Sequence, residues 1–286
     1  MKTSAIISVI GATGRLALPV VEALQEQGFE VRAIVRNLEK AKKTLPKGIK
    51  VALADVKDVP SLIRALEGST HVYINLSAEE NGSNSSFFLE REGVANCVEA
   101  CKAVGVRQIL KIGALGAHPD STSTKEFYQN QIRREGHRFI EASGIPFTVF
   151  HPTWFLDSVR WAIKKNTLQW VGKPVGFYWT NSKDYAQMVA QAVDNPLAYN
   201  KHYVVQGLEK LDYVEVYQRL KKQQPTLKLQ VLPLWIVKTI GFFSPSMKSL
   251  AELFEFYEGT TEEFNGATTW KELGKPSTSL EAFLGN

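Results

Sequence analysis

Apolar and polar positions alternate in blocks along the first 150 residues. Short apolar runs rich in Val and Ile fall at 4–10, 29–35, 49–53, 70–76, 107–112 and 146–150, and each reads as a strand. Between them lie amphipathic stretches near 15–27, 37–45, 60–67, 86–104 and 125–143. In the first, Leu18, Val21 and Leu24 share one face of a helix. Strand–helix alternation with short connections predicts an α/β fold, a Rossmann-type doubly wound parallel sheet. The pattern loosens after His151-Pro152. A helix fits 182–194, a strand 203–206 and a helix 212–222, and 227–258 carries Leu234, Trp235, Phe242, Phe243, Leu253, Phe254 and Phe256. Two units are expected: residues 1–152, and a smaller C-terminal α+β lid over 153–286 from which some strands return to the main sheet. Trp154 and Phe155 are read as walls of a cleft at the open sheet edge, although such aromatics could equally fill that unit's own core.

The junction of the first strand and helix is Gly11-Ala12-Thr13-Gly14-Arg15-Leu16-Ala17. Strand, glycine turn, helix and second strand together form a dinucleotide-pyrophosphate site. Gly11 permits the tight turn, Gly14 lets the backbone approach phosphate, and Ala17 allows close packing. A helix beginning near Thr13 would then aim its amides and positive end at the anion. The end of the second strand reads Val35-Arg36-Asn37, without the acid that holds the ribose 2′-hydroxyl of NAD. A guanidinium there pairs with a 2′-phosphate. NADP(H) is therefore the expected cofactor, with NAD(H) as the other possibility. The residues expected around it are Gly11, Thr13, Gly14, Arg15, Leu16 and Arg36, then Asp55 and Val56 after the third strand, and Asn75, Leu76 and Ser77 after the fourth.

Composition changes little. Hydrophobic residues make up 44% and charged residues 22% of 286, with a net charge of +5 spread along the chain. No helix-turn-helix, zinc or RNA-binding spacing is present, so neither nucleic acid nor a metal is expected. The two cysteines, Cys97 and Cys101, lie four apart in a helical pattern and read as buried free thiols, which suits a reducing cytoplasm. The run 5–10 is too short for a signal peptide, and 229–243 is interrupted by Pro233, Lys238 and Gly241. A cytoplasmic protein without a membrane segment is expected.

Several separated segments carry a family resemblance. They are Gly11-Ala12-Thr13-Gly14, Val35-Arg36-Asn37, Ser143-Gly144-Ile145-Pro146 with Thr148, His151-Pro152-Thr153-Trp154-Phe155, Thr180 to Asp184 with Tyr185-Ala186, and Glu272-Leu273-Gly274 through Ser279-Leu280-Glu281. In this set and order the chain resembles the NmrA-like proteins, atypical short-chain dehydrogenase/reductases, over nearly its whole length. The resemblance implies an NAD(P)-binding Rossmann domain with a small C-terminal domain. It also implies one of two roles: an NAD(P)H-dependent reductase, quinone reductases among them, or a non-catalytic redox sensor that controls a protein partner. The expected partners are thus a small-molecule acceptor and, for a sensor, a regulatory protein; a homodimer is left open.

Typical members of the superfamily carry a serine after strand five and Tyr-x-x-x-Lys on the next helix. Here Lys111-Ile112-Gly113-Ala114 follows the pattern without serine, and Tyr128 is followed four residues on by Ile132. Arg133 falls near the place where NmrA-like enzymes keep Lys or His, and could hold ribose hydroxyls. Tyr128, Arg133 and His118 are the candidates for a catalytic role. His151, in place of the arginine usual in the family's Arg-Pro pair, reads as a hydrogen-bonded strand-end residue.

Overall fold

The computed structural model describes residues 5–77, 86–121 and 125–285. Ser4, the first residue of the predicted opening strand, lies outside them. Six strands appear where the apolar runs predict them: β1 (Ile6–Ile10), β2 (Glu30–Val35), β3 (Lys50–Leu53), β4 (His71–Ile74), β5 (Gln108–Ile112) and β6 (Phe147–Pro152). The helices between them are α1 (Ala17–Glu26), α2 (Leu38–Thr44), α3 (Val59–Leu66), α4 (Val94–Val104) and α5 (Tyr128–Glu141). The side chains of β4, β5 and β6 are buried throughout, as a parallel sheet covered on both faces requires. The stretch read as one helix over 86–104 opens with a π-helical turn, Leu89–Gly93, before α4 begins.

Beyond residue 152 come α6 (Asp157–Ala162), β7 (Ile163–Lys164), β8 (Thr167–Val171), β9 (Phe177–Tyr178), α7 (Ser182–Ala192), β10 (Lys201–Val205), β11 (Lys210–Leu211), α8 (Tyr213–Gln223), β12 (Lys228–Leu232), α9 (Leu234–Gly241), α10 (Pro245–Glu258), α11 (Ala267–Leu273) and α12 (Leu280–Gly285). The main sheet has the order β10-β6-β5-β4-β1-β2-β3, all parallel. The chain thus returns to the sheet through β10. It also returns to the core through α7, which packs on α1 and whose Tyr185 hydroxyl meets Tyr73 of β4 at 2.8 Å. On the opposite face α3, α4 and α5 bury Leu62, Leu66, Cys97, Val98, Cys101 and Ile140. Both cysteines are free, and burial pushes the Cys97 thiol up to about 12.

A separate core forms under the C-terminal sheet β12-β8-β7 and the two-stranded antiparallel pair β9–β11. Leu168, Trp170, Phe177, Trp179, Tyr213 and Phe254 fill it. Trp154 joins this cluster, with ring centroids 5.2 Å from Trp170 and 5.3 Å from Tyr257. Phe155 is buried in the main core against Tyr185. Trp154 and Phe155 therefore pack with other aromatics, because an aromatic ring surrounded by rings loses more water contact there than on a cleft wall.

Candidate functional site

The chain runs from β3, at one edge, back across to β4 on the other side of β1. At this reversal a cleft of about 900 Å³ opens along the carboxyl ends of the strands. The structure brings Gly11, Thr13, Gly14, Arg15, Leu16, Arg36, Asp55, Val56, Asn75, Leu76, Ser77 and Arg133 together on its walls. Gly11 has φ +77°, and a Cβ there would lie 2.1 Å from the Asn75 carbonyl oxygen, so no larger residue fits. The Asn75 side-chain amide nitrogen is buried without a hydrogen-bond partner, a donor left for something in the cleft.

One detail of the expected phosphate cradle changes. α1 starts at Ala17, not near Thr13, because residues 11–16 form successive turns. The N–H groups of Ala17 and Leu18 both donate to the Gly14 carbonyl, and Pro19 has none. The helix end contributes its dipole but few donors, so an anion must be met by the turn itself.

At one end of the cleft β2 closes on buried Val35, and Arg36, Asn37 and Lys40 stand exposed at the rim. The Asn37 side chain caps α2 by accepting the Lys40 N–H at 2.9 Å, which leaves Arg36 as the residue facing outward. Asp55 is held in its turn by the Lys57 N–H on its Oδ1 and by Ser61 Oγ on its own N–H.

The other end is lined by Glu90, Ile112, Gly113, Arg133 and Trp161. Trp161 is the aromatic that the segment after residue 152 contributes, with the Arg15 guanidinium 4.8 Å above its ring. Below this end Lys111 is fully buried, its Nζ 2.5 Å from Glu90 and 2.7 Å from the Ile112 carbonyl. Burial lowers the Lys111 pKa against the opposing pull of Glu90. Arg133 Nε lies 3.5 Å from the other Glu90 oxygen. Lys111, Glu90 and Trp161 are absent from the residues expected from sequence. A lysine inside an apolar strand is a signal for the first of them, and the aromatic-rich stretch after residue 151 for the last.

Tyr128 sits at the start of α5, edge-on to Phe88 and Phe127, and His118 stacks edge-on to His151; neither lines the cleft. The place expected for the superfamily serine is Gly113 or Ala114, of which Gly113 lines the cleft. A Cβ there would meet His151 Nδ1 at 3.1 Å, and His137 Cε1 and the Phe150 carbonyl at 3.2 Å. His151 is a hydrogen-bonded strand residue, as expected, with Nδ1 on the Ala114 carbonyl.

A family model described as NAD(P)H-binding matches residues 11–196, well over half of the chain. The chain belongs to this NAD(P)H-binding family. The NmrA-like resemblance holds within it: an NmrA-like family domain-containing oxidoreductase of Aspergillus japonicus is 26% identical over 157 residues, 54% of this chain and 47% of its own length. An NAD(P)H azoreductase of Xenophilus azovorans is 27% identical over 219 residues, 73% of this chain and 71% of its own. Among solved structures, the NADPH-dependent quinone oxidoreductase QOR2 of Escherichia coli, complexed with NADPH, superposes with a TM-score of 0.76, covering 98% of both chains at 23% identity. That likeness places the family's fold over nearly the whole chain, the C-terminal part included. No helix among the described residues is long and apolar enough to cross a membrane.

Proposed function

We propose that this NAD(P)H-binding protein is an oxidoreductase that uses NADP(H) to reduce a small quinone-like or otherwise conjugated acceptor. The observation that carries the reading is the cleft, with a glycine turn at its centre, Arg36 and Lys40 at one end, and Gly113, Arg133 and Trp161 at the other. In this reading residues 1–152 hold the nucleotide and 153–286 cover it, with Trp161 as the covering residue at the reactive end. Relatives described as an azoreductase and a quinone oxidoreductase act on conjugated acceptors, which supports the acceptor class.

When bound, the dinucleotide supplies hydride. The protein's part is to bind, orient and stabilise charge. The turn 13–16 would meet the pyrophosphate, Asn75 Nδ2 would donate to it or to the neighbouring ribose, and Arg36 would pair with the 2′-phosphate. At the reactive end Gly113 leaves the floor flat, and Arg133 offers a permanent positive charge that cannot deliver a proton. Reduction of a plain ketone makes an alkoxide that needs a proton donor in place. A reduced quinone spreads its charge over an aromatic ring, so positioning and one cation suffice. A glycine and an alanine at Gly113-Ala114, and no tyrosine with a following lysine among the described residues lining the cleft, suit the second kind of acceptor.

Arg36→Ala is expected to weaken NADPH roughly tenfold or more, the cost of a lost charge-assisted contact of about 1.5–3 kcal/mol, while NADH binding changes far less. Fluorescence titration with both nucleotides checks it. Equal losses for the two would show that Arg36 does not read the phosphate.

The second reading is a redox sensor acting on a protein partner. It is favoured by Trp235, Phe242 and Phe243, which stand 68%, 84% and 90% exposed on and just after α9, apolar surface of the kind that marks docking sites. Turnover of NADPH with quinones separates the readings, since a sensor binds without consuming.

A further inference from the structure

Behind Gly113, outside the cleft, three histidines converge from three elements: His137 of α5, His151 of β6 and His202 of β10. His137 and His151 are 2% and 0% exposed, and the His202 side chain is 15% exposed. One ring nitrogen from each lies within 4.8 Å of the others. The hydrogen-bond network assigns the ring protons. His151 Nδ1 lies 2.9 Å from the Ala114 carbonyl, which can only accept, so Nδ1 carries the hydrogen. His202 Nε2 lies 3.1 Å from the Glu141 carboxylate and likewise carries its hydrogen. With both rings neutral, His151 Nε2 and His202 Nδ1 then face each other at 2.9 Å as bare lone pairs. Two acceptors at that distance repel unless a cation lies between or beside them. His137 Nε2 is buried nearby with no hydrogen-bond partner at all.

A proton shared by the pair would still leave the buried His137 Nε2 without a partner. A metal ion takes all three lone pairs at once. The outer nitrogens are already arranged as metal-bound imidazoles require, one on a backbone carbonyl and one on a carboxylate.

We propose that His137 Nε2, His151 Nε2 and His202 Nδ1 form a site for a divalent transition ion of the zinc type. Three imidazoles suit zinc, and tetrahedral bonds of about 2.0–2.1 Å place ligand nitrogens roughly 3.4 Å apart. The His151–His202 pair needs a small spread to reach that spacing, and the third ring a small approach. His118, its ring 4.9 Å from that of His151, already accepts the Asp120 N–H on Nδ1, so solvent is left for the fourth position. The ion would pin β10, the strand that returns from the C-terminal part, to β6 and α5. No metal was expected from the sequence because the ligands are 14 and 51 residues apart and follow no ligand spacing.

The test is calorimetric titration of the full chain, free of any histidine tag and stripped with chelator, with zinc, together with cobalt(II) absorption spectra. The expected result is one zinc per chain and the intense visible bands of four-coordinate cobalt. In His202→Ala both should vanish, with affinity falling at least a hundredfold. Glu141→Gln, at a half-exposed position, should weaken zinc about tenfold by removing the carboxylate behind His202. Unchanged circular dichroism and NADPH binding would confirm that each variant is folded. No binding by the native chain, or binding equally strong in His202→Ala (an adventitious ion only), would overturn the proposal.

Discussion

Gly14→Val is expected to lower NADPH affinity by roughly a hundredfold or more, equivalent to about 2.8 kcal/mol, while the protein stays folded. A Cβ at Gly14 would stand 3.1 Å from the Gly11 carbonyl, and the branched methyls of valine reach further into the turn. The turn must open by a few tenths of an ångström, and the Gly14 carbonyl that anchors the first N–H groups of α1 moves with it. Gly14 does not have a positive φ, so the backbone itself tolerates a side chain and α1 can still form. Calorimetric titration with NADPH and a thermal melt check the two halves. Wild-type affinity in a folded variant would mean that the pyrophosphate does not lie on this turn.

The largest effect on stability is expected at Lys111. Its ammonium is fully buried with Glu90, which is itself only 4% exposed. Lys111→Met removes the nearer of the two cations beside Glu90 and leaves only the longer Arg133 contact, and breaking a buried pair in this way costs about 3–5 kcal/mol. Adding Glu90→Gln removes the carboxylate left without its lysine and should restore most of the loss. Urea denaturation of the single and double variants checks it. A double variant no more stable than Lys111→Met would show that the pair does not act as a unit.

What could be read from the sequence is what depends on neighbours in the chain. The alternation of apolar runs and amphipathic stretches gave the order of strands and helices. Gly11 and Gly14 marked the turn, and Arg36 marked the end of β2, because all of them act within one βαβ unit. The rest depends on contacts across long separations. Glu90 and Lys111 meet only because a π-helical turn faces the end of β5. Trp161, rather than Trp154, reaches the cleft because Trp154 is drawn into the C-terminal aromatic core. The crowding around Gly113 comes in part from His137 and His151, which the sequence holds 14 residues apart. The early part of α1 was misplaced for a local reason: residues 13–16 lead into the helix without a break in the pattern, and only the hydrogen bonds to the Gly14 carbonyl mark where it begins.

The central claim is that the cleft uses NADP(H) to reduce a conjugated acceptor. Its most direct test is stopped-flow absorbance of purified protein mixed with NADPH or NADH and a panel of benzo- and naphthoquinones. The account predicts consumption of NADPH with at least one quinone, at a kcat/KM about tenfold or more above that with NADH, and loss of this preference in Arg36→Ala. Saturable NADPH binding with no consumption by any quinone would contradict it.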